Sequence, residues 1–410
     1  MRPKLRACIG LASLLLLQSC GGGGGGGGGS AGPSPFNLPS SIVAGDFNQD
    51  GLPDLAVATT FVSSAPPHSG FVAVVLQHLS APGTFAPGVH YATGTDPSIV
   101  VAADLDGDGR LDLVVSNYSA GSISVFIQDH ANPGTFLPGV IVPVGGNPNG
   151  IAVGDLNGDG RPDIVVATTT TSLAVLIQSK VGAPVSFLPP VPVAVGKLTS
   201  AVAMGDVNGD GLQDLVATTE DNNGNGDVAV LLQDPAHPGN FLPPTEYAAG
   251  AQPIALKLAD VNGDNRLDVI VANEGTPSNP DTASVSVLLQ DPTHPGSFLA
   301  AANYATGARS QDVAIGDLDG DGKPDLVVAN AGHAGTTGSV SVLLQDPTRP
   351  GAFLPAANYA GVQQPLSVAI ADLNGDGKPD IAVADGDIAT VLFQQPGTPG
   401  KFQPPQKVGS

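Results

Sequence analysis

Seven stretches of nine residues concentrate the chain's chemistry. They occupy residues 46–54, 104–112, 155–163, 206–214, 260–268, 317–325 and 372–380, and each fits the pattern D-x-[DN]-x-D-[GN]-x-x-D. Carboxylates or amides at positions 1, 3, 5 and 9 of a tight loop converge oxygens on one hard cation. Glycine at position 6 allows the bend, and the backbone carbonyl at position 7 adds a further oxygen. The second copy supplies Asp104, Asp106, Asp108, Asp112 and the carbonyl of Arg110. The first supplies Asp46, Asn48, Asp50 and Asp54, the third Asp155, Asn157, Asp159 and Asp163, and the fourth Asp206, Asn208, Asp210 and Asp214. The remaining three supply Asp260, Asn262, Asp264 and Asp268; Asp317, Asp319, Asp321 and Asp325; and Asp372, Asn374, Asp376 and Asp380.

One such stretch on its own reads equally as an Asx turn. Seven in register are sites, because they gather 23 of the chain's 37 acidic residues into groups that repel one another without a cation. Oxygen-only donors on a charge-rich loop select calcium over zinc, copper or magnesium. The order resembles the first half of an EF-hand loop, but no Glu stands at position 12 and strands flank it. Two copies depart from the pattern, with Gln49 at position 4 of the first and Asn265 at position 6 of the fifth. Both are expected to bind, and to bind most weakly.

The elements that carry these loops repeat with them. Loop starts are 58, 51, 51, 54, 57 and 55 residues apart, so the unit is a supersecondary element of about fifty residues. In the second unit, residues 99–103 lead into the loop, 113–116 leave it, 123–128 follow a short turn and 136–144 end the unit. Each stretch is short, β-branched and bounded by Gly, Pro, Asn or Asp, which predicts four strands per unit. The turn between the third and fourth strands recurs as D-P-A-H-P-G, D-P-T-H-P-G and D-P-T-R-P-G at residues 234–239, 291–296 and 346–351. A Phe opens the expected fourth strand in every unit (Phe85, Phe136, Phe187, Phe241, Phe298, Phe353 and Phe402), and Tyr91, Tyr247, Tyr304 and Tyr359 follow it. These aromatics are expected to pack between sheets. The fold class that results is all-β: a seven-bladed β-propeller with four antiparallel strands per blade. Every blade is built from consecutive sequence, and the ring closes by face-to-face packing of blades 1 and 7.

The run G-D-[LV]-N-G-D-G-x-x-D-[LI]-V-V-A at residues 154–167, nearly repeated at 316–329, resembles the FG-GAP or VCBS-type repeat, over residues 41–410. No Phe-Gly pair of the kind that names that family is present. The resemblance implies a seven-bladed propeller like that of the integrin alpha subunit, calcium between strands 1 and 2, and ligand binding on the opposite face.

That face would carry the 2–3 loops and 4–1 connections. Its long 2–3 loops are residues 61–69, 220–226, 273–282 and 330–338, and its 4–1 connections include Asp96, Asn147, Lys197, Gln252, Arg309 and Gln363. Variable loops on a rigid scaffold commonly carry binding, so Phe61, Tyr118, Glu220, Lys197, Arg309 and His333 are ligand-face candidates. With no Trp in the chain, only Phe61 and Tyr118 are left for sugar stacking, which favours a protein or polar polymer. His237 and His294 fall at equivalent turn positions, and His68 and His333 each stand alone. No G-x-S-x-G elbow between a strand and a helix, H-E-x-x-H helix or Cys nucleophile is present, and no catalytic residue is assigned.

The N-terminus reads as an export signal: Arg2, Lys4 and Arg6, an apolar run over residues 9–17, then Gln18, Ser19 and Cys20. The run is too short to span a bilayer, and its end resembles a bacterial lipobox. Residues 1–19 are therefore expected to be a lipoprotein signal peptide and Cys20 the lipidated residue. Residues 20–35 form a glycine-rich tether with a reach of roughly 20 Å, and residues 36–410 the propeller. No disulfide is possible in the mature chain. It carries 12 basic against 37 acidic residues, a net of −25, which disfavours nucleic acid and anionic lipid. Up to seven calcium ions reduce that to −11. The expected protein is a lipid-anchored, calcium-binding cell-surface module for adhesion to or binding of an extracellular protein or polymer, in the envelope of a bacterium at its outer membrane or cell surface. The alternatives are an extracellular lyase or hydrolase built on the propeller, and a purely structural envelope protein.

Overall fold

The computed structural model describes residues 36–62, 68–179, 185–221, 223–276, 278–333, 336–385 and 389–408. The expected signal peptide, Cys20 and the tether lie outside them. Within them are 28 strands in seven antiparallel four-stranded sheets. In blade 2 the strands run Pro97–Ala103, Asp112–Asn117, Ser122–Phe126 and Val140–Pro143, each hydrogen-bonded to the next in sequence. Blade 1 starts at Phe36–Gly45 and blade 7 finishes at Gln406–Val408, so no strand is exchanged between the chain ends.

Burial follows strand position. Second strands such as Asp163–Thr168 are buried along their whole length, which is why they read as unbroken runs of Ile, Val and Ala rather than as alternation. Fourth strands form the exposed rim, where polar residues such as Thr245 and Glu246 stand in Thr245–Ala248. The cores lie between blades: one cluster joins Leu113 and Val115 to Ala56 and Val74, and the next joins Val114 and Ile123 to Ile164 and Leu176. Each fully buried Leu, Ile or Val contributes about 1.5–3 kcal/mol. Blades 1 and 7 share such a core through Ile42, Leu55, Ala382 and Val391, and Ile42 donates its N–H to Ser367 Oγ. The ring therefore closes by packing, as expected. The aromatics also pack across blades, with Tyr91 on Phe136, Tyr247 on Phe298, Tyr304 on Phe353 and Tyr359 on Phe402, edge to face at 5.5–5.7 Å.

One boundary differs from expectation. The Phe does not open the fourth strand: Phe136 makes an isolated bridge with Gln128, and the edge strand starts at Val140. The same Gln–Phe bridge occurs in all seven blades. Between bridge and strand, Pro138 lacks the N–H that would continue the ladder.

Candidate metal centres

The acidic stretches are the loops between first and second strands, and all seven share one hydrogen-bonded frame. The position-1 carboxylate is the hub. Asp104 Oδ1 accepts the N–H of Asp108 (3.1 Å) and Oδ2 that of Gly109 (2.9 Å), and the other six loops repeat both bonds. Wrapping the chain this tightly puts positions 4 and 6 in left-handed backbone. Gly107 and Gly109 have φ of 79° and 83°, but Gln49 (61°) and Asn265 (62°) adopt the same conformation with a side chain. The need for left-handed backbone at position 4 as well as position 6 was not read from the sequence.

The position-9 Asp forms the floor of each loop. Asp112 is 1 % exposed; its Oδ2 accepts the N–H of Leu105 (2.9 Å) and its Oδ1 that of Gln128 (2.8 Å). Burial pushes the carboxyls of Asp54, Asp112, Asp214, Asp268, Asp325 and Asp380 up to about 6, and neighbouring loop carboxylates add to the rise although the backbone donors oppose it. Asp163 is raised for the same reasons. A cation beside such a group relieves the penalty on its ionised form.

Two loops bring three carboxylates within 4.8 Å of one another: Asp104, Asp106 and Asp108, and Asp317, Asp319 and Asp325. These are the two loops with Asp at position 3. Where Asn stands there, its amide can donate to the position-5 carboxylate instead, as Asn208 does to Asp210 (2.9 Å) and Asn48 to Asp50 (3.1 Å). The donor set is oxygen throughout, which suits a hard cation.

Position 7 brings an unexpected feature. The sequence pattern points to its carbonyl alone, but the Arg110 guanidinium, largely buried, bonds Asp108 and His130. Lys323 likewise reaches Asp321 (3.1 Å) and Arg266 reaches Asp264 (3.4 Å). These cations partly neutralise position 5. Basic residues at position 7 in five of the seven loops were the signal.

On the opposite face, the candidate residues are engaged with their own chain. Lys197 bridges Asp227 and Glu246 (2.7 Å each), and Arg309 holds Glu274 through Nε and Nη2 (3.0 and 2.8 Å). Gln252 donates to Glu220 (3.4 Å). His333 does not stand alone: Nε2 lies 2.9 Å from Asp281, because the 2–3 loops of blades 5 and 6 meet across the blade boundary. Phe61 pairs in the second strand of blade 1, and Tyr118 follows the second strand of blade 2; both are half-buried. His237 and His294 bond Asp234 and Asp291 within their turns (2.8 and 2.9 Å). At the rim, an open groove of about 410 Å³ lies between blades 4 and 5, lined by Glu246, Tyr247, Phe298 and Asn303 and by no residue of an acidic loop.

A sequence model described as FG-GAP-like repeat matches residues 104–166, 206–271, 260–328 and 317–383, more than half of the chain. A second, described as FG-GAP repeat, matches residues 38–75. No curated protein matches the sequence. Among solved structures, the exotype rhamnogalacturonan lyase YesX is 15% identical, with a TM-score of 0.49 over 85% of this chain and 70% of that one. The Bacillus licheniformis rhamnogalacturonan lyase PL11 is 14% identical, with a TM-score of 0.48 over 90% and 72%. A Bacteroides uniformis protein described as a 6-phosphogluconolactonase is 13% identical, with a TM-score of 0.52 over 80% and 98%. At these identities the likeness is one of fold.

Proposed function

We infer function from the premise that this chain belongs to the FG-GAP repeat family: it is an exported, lipid-anchored propeller that binds calcium in its acidic loops and serves as a binding or adhesion module. The observation that carries the reading is the sevenfold repetition of one loop frame, with partly exposed oxygens above a buried carboxyl that burial and its neighbouring carboxylates make reluctant to ionise. Positions 1, 3, 5 and 9 and the carbonyl of position 7 would hold the ion. Calcium supplies the positive charge that lets these oxygens crowd together. Affinity in the range of extracellular modules, roughly 10⁻⁴ to 10⁻³ M, fits loops this exposed.

The opposite face supports recognition of a protein or polar polymer, since ion pairs such as Lys197–Asp227 and Arg309–Glu274 tie its loops to the propeller. A preformed surface loses less ordering entropy on association. Cys20 would take the lipid; no helix among the described residues is long and apolar enough to cross a membrane. Titrating calcium into the chelator-stripped protein tests the reading. Several equivalents bound with a large rise in melting temperature support it. No binding and no shift would leave the loops as acidic turns on a shared fold.

A further inference from the structure

The position-2 residue of each loop is held through its backbone N–H, and in five loops through its carbonyl as well. Its N–H donates to the position-9 carboxylate of its own loop, as Leu318 does to Asp325 (2.8 Å) and Val207 to Asp214 (3.1 Å). Its carbonyl, in five loops, accepts the side-chain amide of a Gln on the next blade. Gln394 reaches Leu318 (2.8 Å), Gln345 reaches Val261 (2.8 Å), Gln290 reaches Val207 (2.6 Å), Gln233 reaches Leu156 (3.0 Å) and Gln178 reaches Leu105 (2.8 Å). Each of these Gln residues also gives its backbone N–H to the position-9 carboxylate of its own blade, at 2.7–2.8 Å. Carboxylate, glutamine and loop peptide thus alternate without a break from Asp380 in blade 7 to Asp112 in blade 2.

The belt stops at blade 1. Gln128 sends its amide to Leu111 of its own blade (3.1 Å), and its Oε1 is buried without a partner. The carbonyl it would have met belongs to Phe47, where every other loop has Leu or Val. Gln77 likewise donates to Pro53 of its own blade (2.8 Å) rather than to blade 7. Two further features tie each loop to its neighbour. The position-2 side chain is buried in the core shared with the next blade, as Leu105 and Val261 are. The next blade's turn also lies against position 3: a Cβ on Gly296 would stand 3.1 Å from Asn208 Cβ, and one on Gly351 3.1 Å from Asn262 Cβ.

We propose that the loops of blades 2 to 7 take up calcium as one coupled unit, with Gln178, Gln233, Gln290, Gln345 and Gln394 as positioning residues. The loop of blade 1 fills separately, and the ring loosens at blade 1 when calcium is withdrawn. This rests on the calcium reading above. Position-1, -3 and -5 oxygens gathered over position 9 would shift the position-2 peptide, and the glutamine would carry that shift to the next floor carboxylate. Hydrogen-bonded chains of this kind transmit because each bond polarises and orients the next. Such coupling is typically worth a factor of about 5 or more in affinity.

Hydrogen exchange read by mass spectrometry, on the detergent-solubilised full chain across a calcium titration with bound calcium measured in the same samples, tests this. Peptides covering the loops of blades 2 to 7 are expected to gain protection at one midpoint and residues 46–54 at another, and blade 1 exchanges first in chelator. Gln290→Met keeps the side-chain length but cuts the belt; it should split the shared midpoint into two about fivefold apart. Gln77→Met, outside the belt, should leave the midpoint shared. Should Gln290→Met fold poorly, Gln178→Met cuts the belt nearer its end, and the loop of blade 2 alone should depart. Calcium bound with seven unrelated midpoints, or a shared midpoint that survives Gln290→Met, overturns the coupling. No calcium bound at all overturns the calcium reading and the coupling with it.

Discussion

Removing calcium should reverse the sign of the protein's pH dependence. Six floor carboxyls are raised from 3.8 to about 6 by burial, so in the calcium-free chain their protonated form is the one that suits the fold. A raised pKa means stability fully present below the unfolded value near 4 and lost as pH rises through 6. A rise of that size corresponds to about 3 kcal/mol per carboxyl at pH 7. An unfolding entropy of about 0.8 kcal/mol/K for a chain of this length turns that into roughly 4 °C each and a ceiling of roughly 20 °C for six over the whole range from pH 4 to pH 7, a little under half of it between pH 5 and pH 7. Calorimetry in chelator should therefore show the melting temperature falling from pH 5 to pH 7. With calcium at several millimolar, uptake favours the ionised loops, and the melting temperature should rise over the same interval. A chelated protein that becomes more stable between pH 5 and pH 7 would refute the claim that these carboxyls are held in a desolvated floor.

Three further outcomes separate the roles of individual residues. Gln49→Gly should stabilise the fold by about 0.5–1 kcal/mol in denaturant unfolding, because relief of left-handed strain outweighs the added freedom of the unfolded chain; a loss of stability would show that the Gln49 side chain is needed. Asp214→Asn places an amide against the N–H groups of Val207 and Gln233, and should cost about 2–3 kcal/mol in chelator at pH 5, where the carboxyl it replaces is protonated and both its oxygens still accept. Asp210→Asn, at an exposed position, should lower only the stabilisation that calcium adds, and equal losses in chelator for the two variants would contradict the division into floor and rim. Cys20→Ser should move the protein from the detergent-phase to the soluble fraction on cell fractionation, and unchanged membrane association would remove the lipid anchor from the account.

Much of this architecture was legible because repetition multiplies weak signals. A single D-x-D-x-D-G stretch says little, but seven at spacings of 51–58 residues fix the blade, its strand count and the loop's place in it. The Phe and Tyr positions showed where blades pack, since large aromatics at fixed offsets need a shared core. Partners across blades were not legible. Gln178 meets Leu105 across 73 residues and Gln345 meets Val261 across 84, and no local pattern encodes those separations. The signal was nonetheless present: a Gln ends the third strand region in all seven units, at Gln77, Gln128, Gln178, Gln233, Gln290, Gln345 and Gln394. A buried amide repeated seven times has to be satisfied somewhere. The pairing of His333 with Asp281 was hidden for the same reason, because which loops lie side by side is decided by ring closure and not by the loops themselves.

Whether the loops hold cations is tested most simply by direct counting of bound metal. Chelator-stripped protein equilibrated with millimolar calcium and analysed for retained metal should hold several ions per chain. Asp104→Asn and Asp317→Asn together should lower that number and leave the circular-dichroism spectrum unchanged. A chain that retains no calcium while folding to the same spectrum would contradict the account.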